Sequence, residues 1–146
     1  MTYLDYLSQS AWVLPLGALL LGLSVGSFLN VVIYRLPKML ETQWTHDCHE
    51  HLGQAVEEPA EPFNLNRPGS HCPACNHKIK PWENIPVLSW LLLKGQCSNC
   101  HTRISPRYPI IEAVTGLLSV TVAIHFGFTW AALGALLLTW ALIALS

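Results

Sequence analysis

Lysine and arginine are missing from both ends of the chain, which are mostly apolar. Ala11 to Tyr34 is a 24-residue run without a charged side chain. As a helix it would be about 36 Å long, enough to cross roughly 30 Å of hydrocarbon. Pro109 to Phe126 is a second apolar run, with a single carboxylate, Glu112, near its start. Gly127 to Thr129 form a short connection in which Gly127 suits a tight turn. Trp130 to Leu145 is a third apolar run. The pattern predicts an all-α integral membrane protein with three transmembrane helices, at 11–34, 109–126 and 130–146. A tail at 1–10 precedes them, and a polar loop at 35–108 separates the first two. A cleaved signal peptide would need a basic leading segment, and residues 1–10 offer only Asp5. The last run has no polar cap, basic anchor or following loop, so the end of the chain reads as a cut inside a larger membrane protein.

Composition agrees with a bilayer setting. Of the 146 residues, 51% are hydrophobic and 12% charged, about half the usual globular share of charge. All eight Lys and Arg residues fall between Arg35 and Arg107, and the formal net charge is −1. Nothing in that balance suggests nucleic-acid binding. Arg35 and Lys38 flank the first span, and Arg103 and Arg107 flank the second, which predicts a cytoplasmic 35–108 and an external N-terminus.

Within the loop, Cys72, Cys75, Cys97 and Cys100 form C-x2-C-x21-C-x2-C. Two thiolates at this spacing clasp an ion from a tight knuckle, and two knuckles complete a tetrahedral site. The residue after each pair often needs a left-handed backbone, and Asn76 and His101 tolerate one. A reduced cytosol disfavours disulfides. The expectation is a zinc-ribbon-like loop holding structural Zn2+, with an iron–sulfur, rubredoxin-like or redox pair as alternatives. A fifth cysteine, Cys48, sits among His46, His49 and His51 in the acidic stretch 46–62. That stretch reads as a solvated, weakly ordered insertion, with a second metal site as the alternative. Between the knuckles, Val87 to Leu93 is apolar but too short to span. With Trp82 and Trp90 it reads as a helix packed on the membrane face or on the other helices.

Three motifs in order, "GSFLNVVIYRLP" (Gly26 to Pro37), "CPAC…NIPVLSWLLLKGQCSNC" (Cys72 to Cys100) and "ISPRYPIIEAVTG" (Ile104 to Gly116), resemble the N-terminal part of type IV prepilin peptidases. The resemblance covers about residues 20–146. It implies a bifunctional leader peptidase/N-methyltransferase of bacterial inner membranes. Its substrates would be type 4 prepilins and type II secretion pseudopilins, and its methyl donor S-adenosylmethionine. The peptidase of that family uses two aspartates in later membrane segments. Asp5 and Asp47 are the only aspartates here, and neither fits a dyad that shares a proton at close range. The chain thus reads as the methyltransferase-linked portion, awaiting the remaining C-terminal transmembrane helices of a parent. The rival from another class is a non-enzymatic, zinc-stapled scaffold of a pilus or type II secretion machine.

Several residues have two readings. Gly22, Gly26 and Asn30 lie at i, i+4 and i+8, beside Ser27, which suits close helix packing or docking of a substrate helix. Asn30 is the polar member at membrane depth and a candidate substrate contact. Glu112 is either an interfacial ion-pair partner of Arg35, Arg103 or Arg107, or a catalytic group that holds the substrate amine with Arg107 nearby. Gly95, after Lys94, permits a turn or a close approach to a ligand, and the resemblance implies a role in methyl transfer that makes it a candidate cofactor contact. His125 reads as an interfacial residue. No strand, Gly-rich turn and helix of a Rossmann-type methyltransferase is visible.

Overall fold

The computed structural model of the chain describes residues 12–53, 63–67 and 69–145. The tail at 1–10 and residues 54–62 of the acidic stretch lie outside them. Among the described residues four α-helices follow in order: α1, Val13–His51; α2, Leu88–Leu92; α3, Arg107–Phe126; and α4, Trp130–Leu145. A 3-10 turn, Pro81–Asn84, precedes α2. Among the described residues there are only two isolated antiparallel bridges and no longer strand.

α1 is longer than its apolar run. It continues past Tyr34, through Pro37, to His51, so its 39 residues reach about 58 Å. The part of the acidic stretch at 46–51 is therefore helical rather than irregular. Local chemistry accounts for the extension. Pro37 removes one hydrogen bond, the one owed to the Ile33 carbonyl. Lys38, Met39, Leu40, Glu41 and Gln43 are all good helix formers and carry the helix on. The Lys38 ammonium donates to the Tyr34 hydroxyl at 2.8 Å and lies 4.1 Å from the centre of its ring. The helix stops where Gly53 takes a φ of 66°.

Small residues bring α1 and α3 into contact. A Cβ on Gly22 would lie 2.5 Å from Ser119 Oγ and 2.9 Å from the Gly116 Cα. One on Gly26 would lie 2.8 Å from the Glu112 Cα. Further along α1, the Asn30 side-chain amide donates to the Tyr108 carbonyl at 3.1 Å. Ascending α1 thus meets descending α3, so the two helices run antiparallel. The buried hydroxyls between them are satisfied within α3: Thr115 bonds the Ile111 carbonyl and Ser119 the Thr115 carbonyl, each at 2.7 Å.

Gly127, at a φ of 61°, ends α3. Thr129 then caps α4, its hydroxyl accepting the Ala132 N–H at 3.2 Å. α4 packs back on α3 and α1, and its Trp140 indole donates to Ser119 Oγ at 3.0 Å. α1 and α3 are long and apolar enough to cross a membrane. α4 shares their composition but has 16 residues, about 24 Å, which is shorter than a typical hydrocarbon core.

Candidate metal centre and the cleft beside it

The two Cys-x-x-Cys pairs fold into the same knuckle. In the first, the Cys72 N–H donates to the His77 carbonyl and the Asn76 N–H to the Cys72 carbonyl, both at 2.9 Å. In the second, the Cys97 N–H donates to Thr102 at 2.9 Å and the His101 N–H to Cys97 at 3.1 Å. Asn76 and His101 occupy matching left-handed positions, at φ 55° and 56°. A bridge closes each knuckle, His71 with Lys78 and Gln96 with Arg103.

Facing one another, the knuckles bring all four Sγ atoms within 4.8 Å. Cys72 Sγ lies 3.7 Å from Cys100 Sγ, and Cys75 Sγ 4.0 Å from Cys97 Sγ. These separations are far too long for disulfides, whose sulfurs lie about 2.05 Å apart. They match the edge of a tetrahedron, about 3.8 Å, that metal–sulfur bonds of about 2.3 Å would draw. The residues fit a four-coordinate ion. Hydrogen bonds from the Thr102 hydroxyl and backbone, and the neighbouring Cys75, lower the Cys100 thiol to about 6. Backbone N–H groups of Ala74 and Cys75 favour the Cys72 thiolate, but burial and the thiols of Cys97 and Cys100 prevail and push it up to about 11. Four crowded thiols do not all ionise unaided; a cation among them reverses that balance.

Glu83 joins the knuckles. Its carboxylate accepts the Lys80 N–H at 2.9 Å, bonds Ser98 of the second knuckle and lies 3.5 Å from His77 Nε2 of the first. Those contacts, the Lys80 N–H foremost, hold its carboxyl below the usual carboxylate range.

Between the knuckles the chain makes a tight corner. Val87 has φ 60° and ψ −47°, and the Leu88 N–H reaches back to the Pro86 carbonyl at 2.6 Å. This is a γ-turn of the strained, positive-φ kind, and a β-branched residue rarely occupies it. The Val87 N–H donates at 2.7 Å to Glu112 Oε2 of α3. Glu112 is only 8% exposed, and among the described residues no cationic side chain pairs with it. Its anchor is a backbone donor in place of the arginines that the sequence suggests.

After α2, Lys94 and Gly95 both take positive φ, 51° and 68°. A Cβ on Gly95 would lie 2.8 Å from the Trp90 ring, so the glycine is what lets the indole pack this close to the turn. The Trp90 indole also donates to the Ile104 carbonyl at 3.3 Å. Trp90, Lys94, Gly95, Arg103 and Ser105 are among the residues that line an open surface cleft of about 510 Å³.

The remaining sequence candidates separate. Asn30 and Glu112 face the α1–α3 seam, whereas Arg107 is exposed at the start of α3. Arg35, at the same end of the seam, is buried and donates to the Asn64 carbonyl at 2.9 Å. Cys48 stands exposed on α1, away from the other four cysteines. Of its histidine neighbours, only His46 joins a donor group, with Asp47 and Glu50. Sequence reasoning missed Val87 and Glu83. The proline before Val87 marks a turn, but no residue pattern announces a left-handed valine.

Two apolar antiparallel helices, long enough to cross a membrane, with a four-cysteine loop at one end define a class: helical proteins with a polar domain whose thiols could hold a metal ion. The comparisons narrow it. Residues 20–126 match the family model described as Bacterial Peptidase A24 N-terminal domain. A prepilin leader peptidase/N-methyltransferase of Pseudomonas aeruginosa is 53% identical over 146 residues, covering 100% of this chain and 50% of the relative. Proteins of the same name from Neisseria gonorrhoeae and Aeromonas hydrophila are 50% and 52% identical. Those alignments cover 94% and 87% of this chain, and 48% and 44% of the relatives. No solved structure matches. The chain belongs to the bacterial peptidase A24 N-terminal domain family, and it spans about half the length of the curated relatives it matches, which are named prepilin leader peptidase/N-methyltransferase.

Proposed function

We propose that this chain is the zinc-stapled, methyl-transfer portion of an enzyme that cuts the leaders from type 4 prepilins and type II secretion pseudopilins and methylates the new N-terminus. It would lie in a bacterial inner membrane with α1, α3 and α4 all spanning. The loop between α1 and α3 would be cytoplasmic, as the flanking Arg35, Lys38, Arg103 and Arg107 favour. Leader cleavage, by a pair of aspartates, would belong to later segments of a longer protein. Asp47 is exposed near the end of α1, and Asp5 lies outside the described residues.

Cys72, Cys75, Cys97 and Cys100 would hold Zn2+ with no open coordination position, so the ion folds the loop and takes no part in the reaction. Bound S-adenosylmethionine would supply an electrophilic methyl group. Gly95 and Trp90 would form the wall of its cleft, and Lys94 and Arg103 would provide positive charge for its carboxylate.

The observation that carries the reading is the buried Glu112 carboxylate, unpaired by any cation among the described residues and bonded to the loop through Oε2. A pilin cut at the cytoplasmic face presents an α-ammonium at the end of an apolar helix. Glu112 would hold that ammonium and accept its proton, leaving a neutral amine aligned for attack. Arg107 and Asn30 would guide the incoming chain, and holding the reactants together would provide much of the rate.

The test is Glu112→Gln in the full-length protein. Glutamine still accepts the Val87 N–H, so only the charge is lost. Mass spectrometry of the mature pilin should show methylation reduced more than about tenfold, about 1.4 kcal/mol. Zinc content and leader cleavage should be unchanged. Normal methylation would remove Glu112 from the reaction. Absence of both activities in the unaltered protein would favour the scaffold reading.

A further inference from the structure

The corner between the knuckles leaves apolar side chains without a partner. Trp82, Ile85, Leu88 and Leu91 recur every third position, Leu92 follows directly, and all five are exposed, Leu92 at 81%. Between them Val87, Trp90 and Leu93 turn inward and are partly buried. A single turn of helix with this much exposed leucine would be a liability in water.

Its level in the molecule says what covers it. α3, at 20 residues, is about 30 Å long, the thickness of the hydrocarbon core. Glu112 lies five residues in from Arg107, so its Cα sits about 7.5 Å below the start of the helix. The 2.7 Å bond from Val87 to Glu112 therefore pins the corner at or just beneath the membrane surface. The flanks suit that depth. Lys80 lies 5.5 Å from the centre of the Trp82 ring, a cation and an indole side by side, and Lys94 follows α2. Tryptophan and lysine both favour the headgroup layer, the indole for its amphipathic ring and the lysine by extending its ammonium to water.

We infer that residues Trp82–Leu92 form an interfacial membrane segment whose apolar stripe lies in lipid, held there by the Glu112 carboxylate. The inference rests on the reading of α1 and α3 as membrane spans. The zinc knuckles then straddle a segment dipped into the bilayer, and the cleft beside Trp90 opens at the surface where a pilin N-terminus emerges.

The test uses the full-length, zinc-loaded protein in vesicles of phosphatidylethanolamine and phosphatidylglycerol. On a Cys48→Ser background, the environment-sensitive dye NBD is attached at Leu92→Cys, or at Leu20→Cys and Leu117→Cys as reporters of the spans. Mass spectrometry confirms that the four ligand cysteines are unlabelled. Nitroxide lipids quench from near the headgroup or from near the chain ends. The dye at Leu92→Cys should emit as in an apolar medium. It should lose roughly twofold more emission to the shallow quencher than to the deep one, as a group at headgroup depth must. Leu91→Glu added to the same protein should return the dye to water. If the span reporters are quenched but the Leu92→Cys dye is reached by aqueous iodide, the segment is solvent-exposed and the inference fails. An apolar emission untouched by lipid quenchers would mean that protein covers the stripe, which also overturns it. If neither span reporter is quenched, the membrane reading itself falls, and this inference with it.

Discussion

Replacing Gly22 with alanine should loosen the α1–α3 seam. The added methyl would meet three atoms inside 3.0 Å: Ser119 Oγ at 2.5 Å, Ser119 Cβ at 2.7 Å and the Gly116 Cα at 2.9 Å. Ser119 has no room to rotate away, because its hydroxyl bonds the Thr115 carbonyl and receives the Trp140 indole. The Gly116 contact is backbone and does not yield by itself. Ordinary contact therefore requires the helices to part by about 0.5–1 Å, a gap that forfeits a quarter to a half of each dispersion well it opens. Overpacking of this kind costs about 1–3 kcal/mol, or roughly 5- to 150-fold in the folded-to-unfolded ratio. Gly17 is the internal control. Nothing lies within 4 Å of a Cβ there, and alanine is the better helix former by about 1 kcal/mol, so Gly17→Ala should be neutral or stabilising. Unfolding in dodecyl maltoside titrated with SDS, followed by helical circular dichroism, ranks the three proteins. A Gly22→Ala midpoint equal to or above that of Gly17→Ala would refute the packing argument.

Two further predictions concern the loop. Elemental analysis should find one zinc per chain, lost in Cys97→Ser and retained in Cys48→Ser, because Cys48 stands apart from the cage; retention in Cys97→Ser would break the assignment. The Thr102 hydroxyl helps to lower the Cys100 thiol to about 6 from its ordinary 9.0. Thr102→Val should raise it, so protons compete better with the metal, and zinc release read with a chromogenic chelator should begin at a higher pH. An unchanged release midpoint would show that the hydroxyl does not set thiolate availability.

Much of this arrangement is legible in the residues. The stripe Gly22, Gly26, Asn30 identifies a contact face from helical spacing alone, and the structure assigns that face to α3. The left-handed positions after each cysteine pair follow from the knuckle's geometry, and Asn76 and His101 take them. Gly127 marks the α3–α4 turn for the same steric reason. What the sequence hides is long-range or locally unfavourable. The end of α1 was obscured because Pro37 and the first charges look like a helix terminus, while the helix formers beyond them outweigh one missing hydrogen bond. The Glu112 partner is a backbone N–H 25 residues away, and composition cannot reveal a backbone donor. Nearby arginines make an ion pair the natural guess, and the strained valine that supplies the real bond is the residue type least expected there.

The hydrogen bond from Arg35 to the Asn64 carbonyl has a topological consequence. Asn64 also organises its own turn, its side-chain oxygen accepting the N–H groups of Asn66 and Arg67. Arg35 further lies 5.8 Å from the centre of the Phe63 ring. The chain therefore leaves the bundle at residue 35 and is hooked back at residues 63–64, before the first knuckle begins. The part of α1 beyond residue 35 thus projects past that contact. Lengthening a loop adds only about 0.6 kcal/mol per doubling of its length, and the hook keeps that change from reaching the thiolate cage or the seam. A change of length after Gly53 should thus leave the α1–α3 seam as it is. An affinity tag placed after Gly53 would exploit that tolerance.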